Sequence, residues 1–219
     1  MADDAATSAT ETARGTVERT EPTKAQRAAA RRVAESKATA PHLYVDAEIR
    51  VESADLARVV RACALALREL PRLNGAYRDG AFETYSRGNV GVAIAGGDAP
   101  AVPTIFDADR KTAAAIKAEL GELRERAADG ALTAPQLAGA TFTVVAATAG
   151  SIRSVSSILN QGQAAALAIG PVAPRPLVQD GAVVAGTALT ATLSVDARMI
   201  DVDDAVRFLN RVSELLEAS

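Results

Sequence analysis

Apolar residues recur at spacings of three and four from Leu56 through Val59, Val60, Cys63, Leu67 and Leu70. That spacing puts them on one face of a helix. Ser53 stands ahead of it as an N-cap and Pro71 stops it. The same period predicts a helix over residues 110–128, with Ile116, Leu120 and Leu123 inward and Gly130 as C-cap, and a closing helix over 202–216 on Val206, Leu209 and Leu216. A further helix is expected over 23–37, ended by Pro41. Leu43, Val45, Ala47 and Ile49 alternate with polar residues, the pattern of a half-buried strand. Apolar runs over 90–95, 101–106, 141–147, 163–169 and 187–195 predict further strands, with a turn cluster at 96–100 and a Ser-rich loop at 150–157. Asp79-Gly80 and Asp180-Gly181 are hairpin turns. In residues 1–22 Val17 is the lone aliphatic β-branched residue, so this stretch is expected to be a disordered tail. Helices and strands in mixed order, with hairpins, predict an α/β two-layer sandwich. Its mixed, largely antiparallel sheet carries packed helices, in one domain over 23–219.

Composition narrows the chemistry. The chain has 219 residues, 50 of them alanine and only seven aromatic, so its core must rest on Val, Leu, Ile and close Ala packing. A net charge of −3 argues against general affinity for nucleic acid or anionic lipid, and no apolar run reaches the length of a membrane span. The N-terminus has no apolar signal core, and a cytoplasmic protein is expected. One cysteine and one histidine rule out a disulfide framework and multi-cysteine or multi-histidine metal sites, and no metal is expected. Cys63 lies on an apolar helix face, where a thiol is a packing residue. His42, at a strand start after Pro41, is expected to be structural, and is the fallback base as the only imidazole. Lys24, Arg27 and Arg31 share one helix face, a solvated basic surface or a place for an anion.

The stretch from Leu193 to Leu209 contains Asp196-Ala197-Arg198-Met199-Ile200-Asp201-Val202. It resembles the C-terminal signature of the acyltransferase catalytic domain of 2-oxoacid dehydrogenase complexes. Earlier segments resemble the same domain: Arg31-Arg32-Val33-Ala34-Glu35-Ser36-Lys37, Ala40-Pro41-His42-Leu43-Tyr44-Val45, Ala66-Leu67 through Pro71 to Asn74, Asn89 to Ala95 with Val102-Pro103, Thr141-Phe142-Thr143, and Asn160, Gln163 and Gly170. The resemblance spans about residues 23–219 and implies the chloramphenicol acetyltransferase-like fold. It also implies acyl transfer between coenzyme A and a dihydrolipoyl thiol, at a site on the boundary between subunits of a trimer. In that family the signature reads Asp-His-Arg-x-x-Asp-Gly. Its histidine takes the proton of the attacking thiol, and a serine two residues after Thr-Phe-Thr covers the oxyanion.

Asp196, Arg198 and Asp201 match that signature. Ala197 stands where the histidine belongs, Val202 where the glycine belongs, Val145 where the serine belongs and Ala146 where an asparagine follows. Ala99-Pro100 replaces a Gly-Leu pair, and Gln161-Gly162 two prolines. Twenty-two residues ahead of the core are too few for the family's lipoyl or subunit-binding domains, so neither is expected. The expectation is a trimeric, non-catalytic relative serving assembly or binding, with an intact acyltransferase paralogue or a larger assembly as partners. Any coenzyme A contact is expected to be weak and non-covalent, its phosphates meeting Lys24, Arg27 and Arg31. The rival readings are an acyltransferase with non-standard residues and a small-molecule binding module in the family's channel.

Overall fold

The computed structural model describes residues 7–52, 55–95, 100–147 and 151–217. In chain order these form β1 (Thr7–Thr12), β2 (Gly15–Thr20), α1 (Lys24–Thr39), β3 (His42–Arg50), α2 (Leu56–Glu69), β4 (Gly75–Arg78), β5 (Ala81–Thr84), β6 (Val90–Ala93), β7 (Thr104–Ile105), α3 (Ala113–Ala128), β8 (Phe142–Ala146), β9 (Ala165–Ile169), β10 (Ala173–Gln179), β11 (Ala182–Asp196) and α4 (Val202–Glu217). Local chemistry explains most of the boundaries. Thr23 and Gln26 cap α1 reciprocally, each side chain accepting from the other's backbone N–H. Asp55 caps α2 through Ala57 N, whereas the expected cap Ser53 lies outside the described residues. Thr112 caps α3, which therefore starts three residues inside the expected stretch, after a short 3-10 turn at Ala108–Arg110.

The main sheet is mixed. β11 pairs antiparallel with β3, β9 and β10, while β6, β8 and β9 run parallel to one another and β7 closes the far edge antiparallel to β6. Strand alternation gives the sheet two unlike faces. Leu189, Ala191, Leu193 and Val195 of β11, with Leu167 and Val144 on its neighbours, are fully buried on the face covered by α2, α3 and α4. The other face carries Thr192, Ser194 and Asp196, level with Thr143 and Val145 on β8. The loop over 151–164 lies against it. Ser194 Oγ donates to Ser157 O at 2.8 Å, Asn160 Nδ2 to Thr143 Oγ1 at 2.9 Å, and Thr143 Oγ1 to Gln163 Oε1 at 2.7 Å. These buried hydroxyls and amides are thus paired, as burial requires.

The structure differs from the sequence pattern in several places. Residues 7–20 form the β1–β2 hairpin, and every residue of β2 is exposed, so the segment has strand structure but contributes no core. The expected strand over 101–106 shrinks to β7 plus one bridge between Ala101 and Ile94. Pro174 and Pro176 hid β10, yet both fit there because that strand lies at a sheet edge, where a missing N–H costs no ladder bond. The turn residues 96–99 and the start of the 150–157 loop lie outside the described residues.

Candidate functional site

The turn between β11 and α4 is built from the Asp-x-Arg-x-x-Asp spacing. Asp196 is buried and accepts from Arg198 N at 3.1 Å, Nε at 2.9 Å and one terminal guanidinium nitrogen at 2.6 Å. These hydrogen bonds, more than simple charge, raise the Arg198 guanidinium above its usual value. Arg198 also lies over the Tyr77 ring, 4.4 Å from its centroid. Met199 and Ile200 plug the core. Arg72 donates to Met199 O and pairs with Asp204 at 3.2 Å, which ties the turn to α4. Asp201 accepts from Asp204 N at 2.8 Å and caps α4. Val202 then begins the helix. It is not among the described residues with positive φ, so a glycine is not needed to make this turn.

Ala197 N donates to Pro41 O, placing the turn against the start of β3. There His42 uses both ring nitrogens: Nδ1 donates to Ala40 O at 2.7 Å and Nε2 accepts from Leu159 N–H at 3.1 Å. The ring is a strut between β3 and the 151–164 loop, with no free nitrogen for a thiol proton.

Val145 and Ala197 are not neighbours within one chain. Val145 pairs with Ala168, which pairs with Thr192, and Ala197 lies five residues beyond Thr192 and two strands across. At about 4.8 Å per strand and 3.3 Å per residue, the two positions stand roughly 20 Å apart. One reacting carbonyl cannot touch both.

Lys24, Arg27 and Arg31 are exposed on α1, and Arg27 donates to Pro22 O at 2.6 Å. Helical rise puts Arg31 roughly 14 Å, and Lys24 roughly 24 Å, from Ala40 and the Ala197 turn. The basic residue closest to that turn along α1 is Lys37, whose Nζ meets the Tyr44 hydroxyl.

Residues 55–219 match the family model described as 2-oxoacid dehydrogenases acyltransferase (catalytic domain), three quarters of the chain. The chain belongs to this family. The dihydrolipoyllysine-residue acetyltransferase component of the Staphylococcus aureus pyruvate dehydrogenase complex is 32% identical over 212 aligned positions, covering 87% of this chain and 49% of the relative. The chain thus spans about half the length of the curated relatives it matches. The structure of the Azotobacter vinelandii dihydrolipoamide acetyltransferase, 25% identical, superposes with a TM-score of 0.88 over 93% of this chain and 92% of that one. A serine, a histidine and an asparagine were studied for roles in that enzyme's catalytic mechanism. The serine precedes the histidine there by as many residues as Val145 precedes Ala197 here, and the asparagine follows by as many as Asp201 follows Ala197. A chloramphenicol acetyltransferase, 13% identical, shares the fold at a TM-score of 0.55 over 85% of this chain. The acyltransferase fold is therefore the chain's own.

A second feature of this acyltransferase-family chain carried no sequence signal. An open cleft of about 1060 Å³ lies at the carboxyl ends of β6, β8 and β9, beside the start of α2 and the exposed side of α3. Its polar residues are Asp55, Lys117 and Arg124, from two helices far apart in sequence. Lys117 Nζ lies 2.9 Å from Asp55 Oδ2, and this hydrogen bond holds the Asp55 carboxyl below its usual range.

Proposed function

We propose that the chain is a non-catalytic member of the acyltransferase family, acting as a trimeric assembly or binding subunit in the cytoplasm. The observation that carries the reading is the pair of side chains at positions 145 and 197. Alanine exchanges no proton and valine donates no hydrogen bond, while the residues that only shape the turn, Asp196, Arg198 and Asp201, remain. Loss of a general base costs about 10²–10⁴ in rate and loss of an oxyanion donor about 10²–10³. Retention of His42 does not compensate, because both its nitrogens are engaged. The distance between Val145 and Ala197 within one chain supports a site completed by a second chain, as neighbouring subunits of a trimer would do. An intact acyltransferase paralogue, or a larger assembly, is the partner such a role calls for.

Acetyl transfer from acetyl-coenzyme A to dihydrolipoamide is expected to stay below about 10⁻³ of an intact relative's rate. Ala197→His alone should restore little, and Ala197→His with Val145→Ser more. Turnover by the unmodified chain near a relative's rate would overturn the reading. Light scattering should report three chains per particle, and a monomer would remove the assembly role. Any binding of coenzyme A is expected to run through its phosphates, to Lys24, Arg27 and Arg31, and to weaken as salt rises. Calorimetry should then find coenzyme A and its dethio analogue equal, since no base meets the thiol.

A further inference from the structure

The cleft at the ends of β6, β8 and β9 sits where open sheets with parallel strands take ligands, at the carboxyl edge. Ala146 and Ile169 pair across β8 and β9 and share the sheet face that the helices cover, whereas Ala93 pairs with Val145 on the opposite face. Leu56, Ile94 and Ile169 supply aliphatic walls. A cleft of about 1060 Å³ is ample for a single small organic ligand, for which pockets of about 300–1,000 Å³ are usual.

Its charges have one sign to spare. Lys117 and Arg124 are two turns apart on α3 and so share a face. Gly121 lies between them, and a Cβ added there would meet nothing within 4 Å, so no side chain crowds the space between the two cations. Asp55 engages Lys117, whereas Arg124 makes no hydrogen bond or ion pair among those of the described residues. Aliphatic lining residues beside a guanidinium and an ammonium suit a ligand with an aliphatic body and one anionic end. We propose that this cleft binds an aliphatic carboxylate, its chain against Leu56, Ile94, Ala146 and Ile169 and its head group between Arg124 and Lys117. The inference stands whether or not positions 145 and 197 have lost their chemistry. It makes Asp55 a built-in competitor, because that carboxylate already occupies Lys117.

Decanoate and decylamine, both below their micellar concentrations, are suitable probes for calorimetry and NMR titration of the whole chain. Decanoate should bind one per chain, shift the amides of Ile94, Ala146 and Val172, and weaken as salt rises, and decylamine should not bind. Arg124→Gln is expected to weaken decanoate about three- to tenfold, the scale of one charge-assisted contact at a partly wet site. Asp55→Asn should tighten it by a similar factor, since asparagine still caps α2 but releases Lys117. The opposite signs guard against simple loss of folding. Absence of saturable decanoate binding at millimolar concentration, equal binding of decylamine, or affinities unmoved by both substitutions would each overturn the proposal.

Discussion

His42 is held at both ring nitrogens, donating to Ala40 O and accepting from Leu159 N–H. Its job is to fasten the 151–164 loop to the first strand of the sheet. His42→Ala should therefore cost about 1–3 kcal/mol, the scale of two hydrogen bonds with one buried partner left bare, measured by urea denaturation. Acyl-transfer assays should be unmoved. Cys63 makes the same point about default roles. It is fully buried, and burial pushes its thiol far above the ordinary value. Iodoacetamide should leave it unmodified in the native protein and alkylate it only on unfolding. Both residues were readable from sequence as structural, His42 from its place at a strand start and Cys63 from its apolar helix face. His42's partners were not readable, because Leu159 is 117 residues away.

At the scale of elements, α3 and the β4–β5 hairpin show opposite uses of glycine. Gly121 sits in the interior of α3 with open space where a Cβ would go. Gly121→Ala should stabilise the protein by about 0.5–1 kcal/mol, read as a higher denaturation midpoint. At Gly75 an added Cβ would lie 2.1 Å from Glu83 O and 2.9 Å from Met199 Cε. Gly75→Ala should thus destabilise, as the hairpin is forced off the Ala197 turn. The cap of α2 gives a pH effect. The Asp55 carboxyl is held below the usual 3.8, first by its hydrogen bond to Lys117. A lowered folded-state value means that its contribution is present above about pH 4 and is lost as pH falls through the folded value. Asp55→Asn should flatten that part of the acid limb of a stability–pH curve. Element existence was largely legible in the apolar periods. Boundaries were less so, because the caps Thr112 and Asp55 were not singled out by the apolar period and because β10 tolerates two prolines at an edge.

Across the whole molecule, stability is unevenly spread. β9 is buried throughout and β11 over its last eight residues except Thr190, whereas β2 is exposed throughout and α1 buries only Ser36. Native-state hydrogen exchange should find the β1–β2 amides and the early turns of α1 at the fast end, and β9 and the second half of β11 exchanging only with global unfolding. The roughly 20 Å between Val145 and Ala197 also belongs to this scale. If the chain is a trimer, its urea midpoint should rise with protein concentration, because association draws on the folded state alone. A midpoint independent of concentration would count against assembly.

The sequence by itself determined the helix faces, the half-buried first strand, the hairpin turns and the family resemblance. Each is a local pattern, or an ordered series of local patterns, and periodicity and caps act over a few residues. It also determined that positions 145 and 197 carry side chains without a donor or an exchangeable proton. Tertiary structure alone decided that His42 is tied at both nitrogens, that Val145 and Ala197 lie far apart in one chain, and that Asp55, Lys117 and Arg124 border one cleft. These depend on strand register and on which helix crosses which strand ends. Contacts between residues tens of positions apart are set by how the packed layers meet, and no period within the chain encodes that.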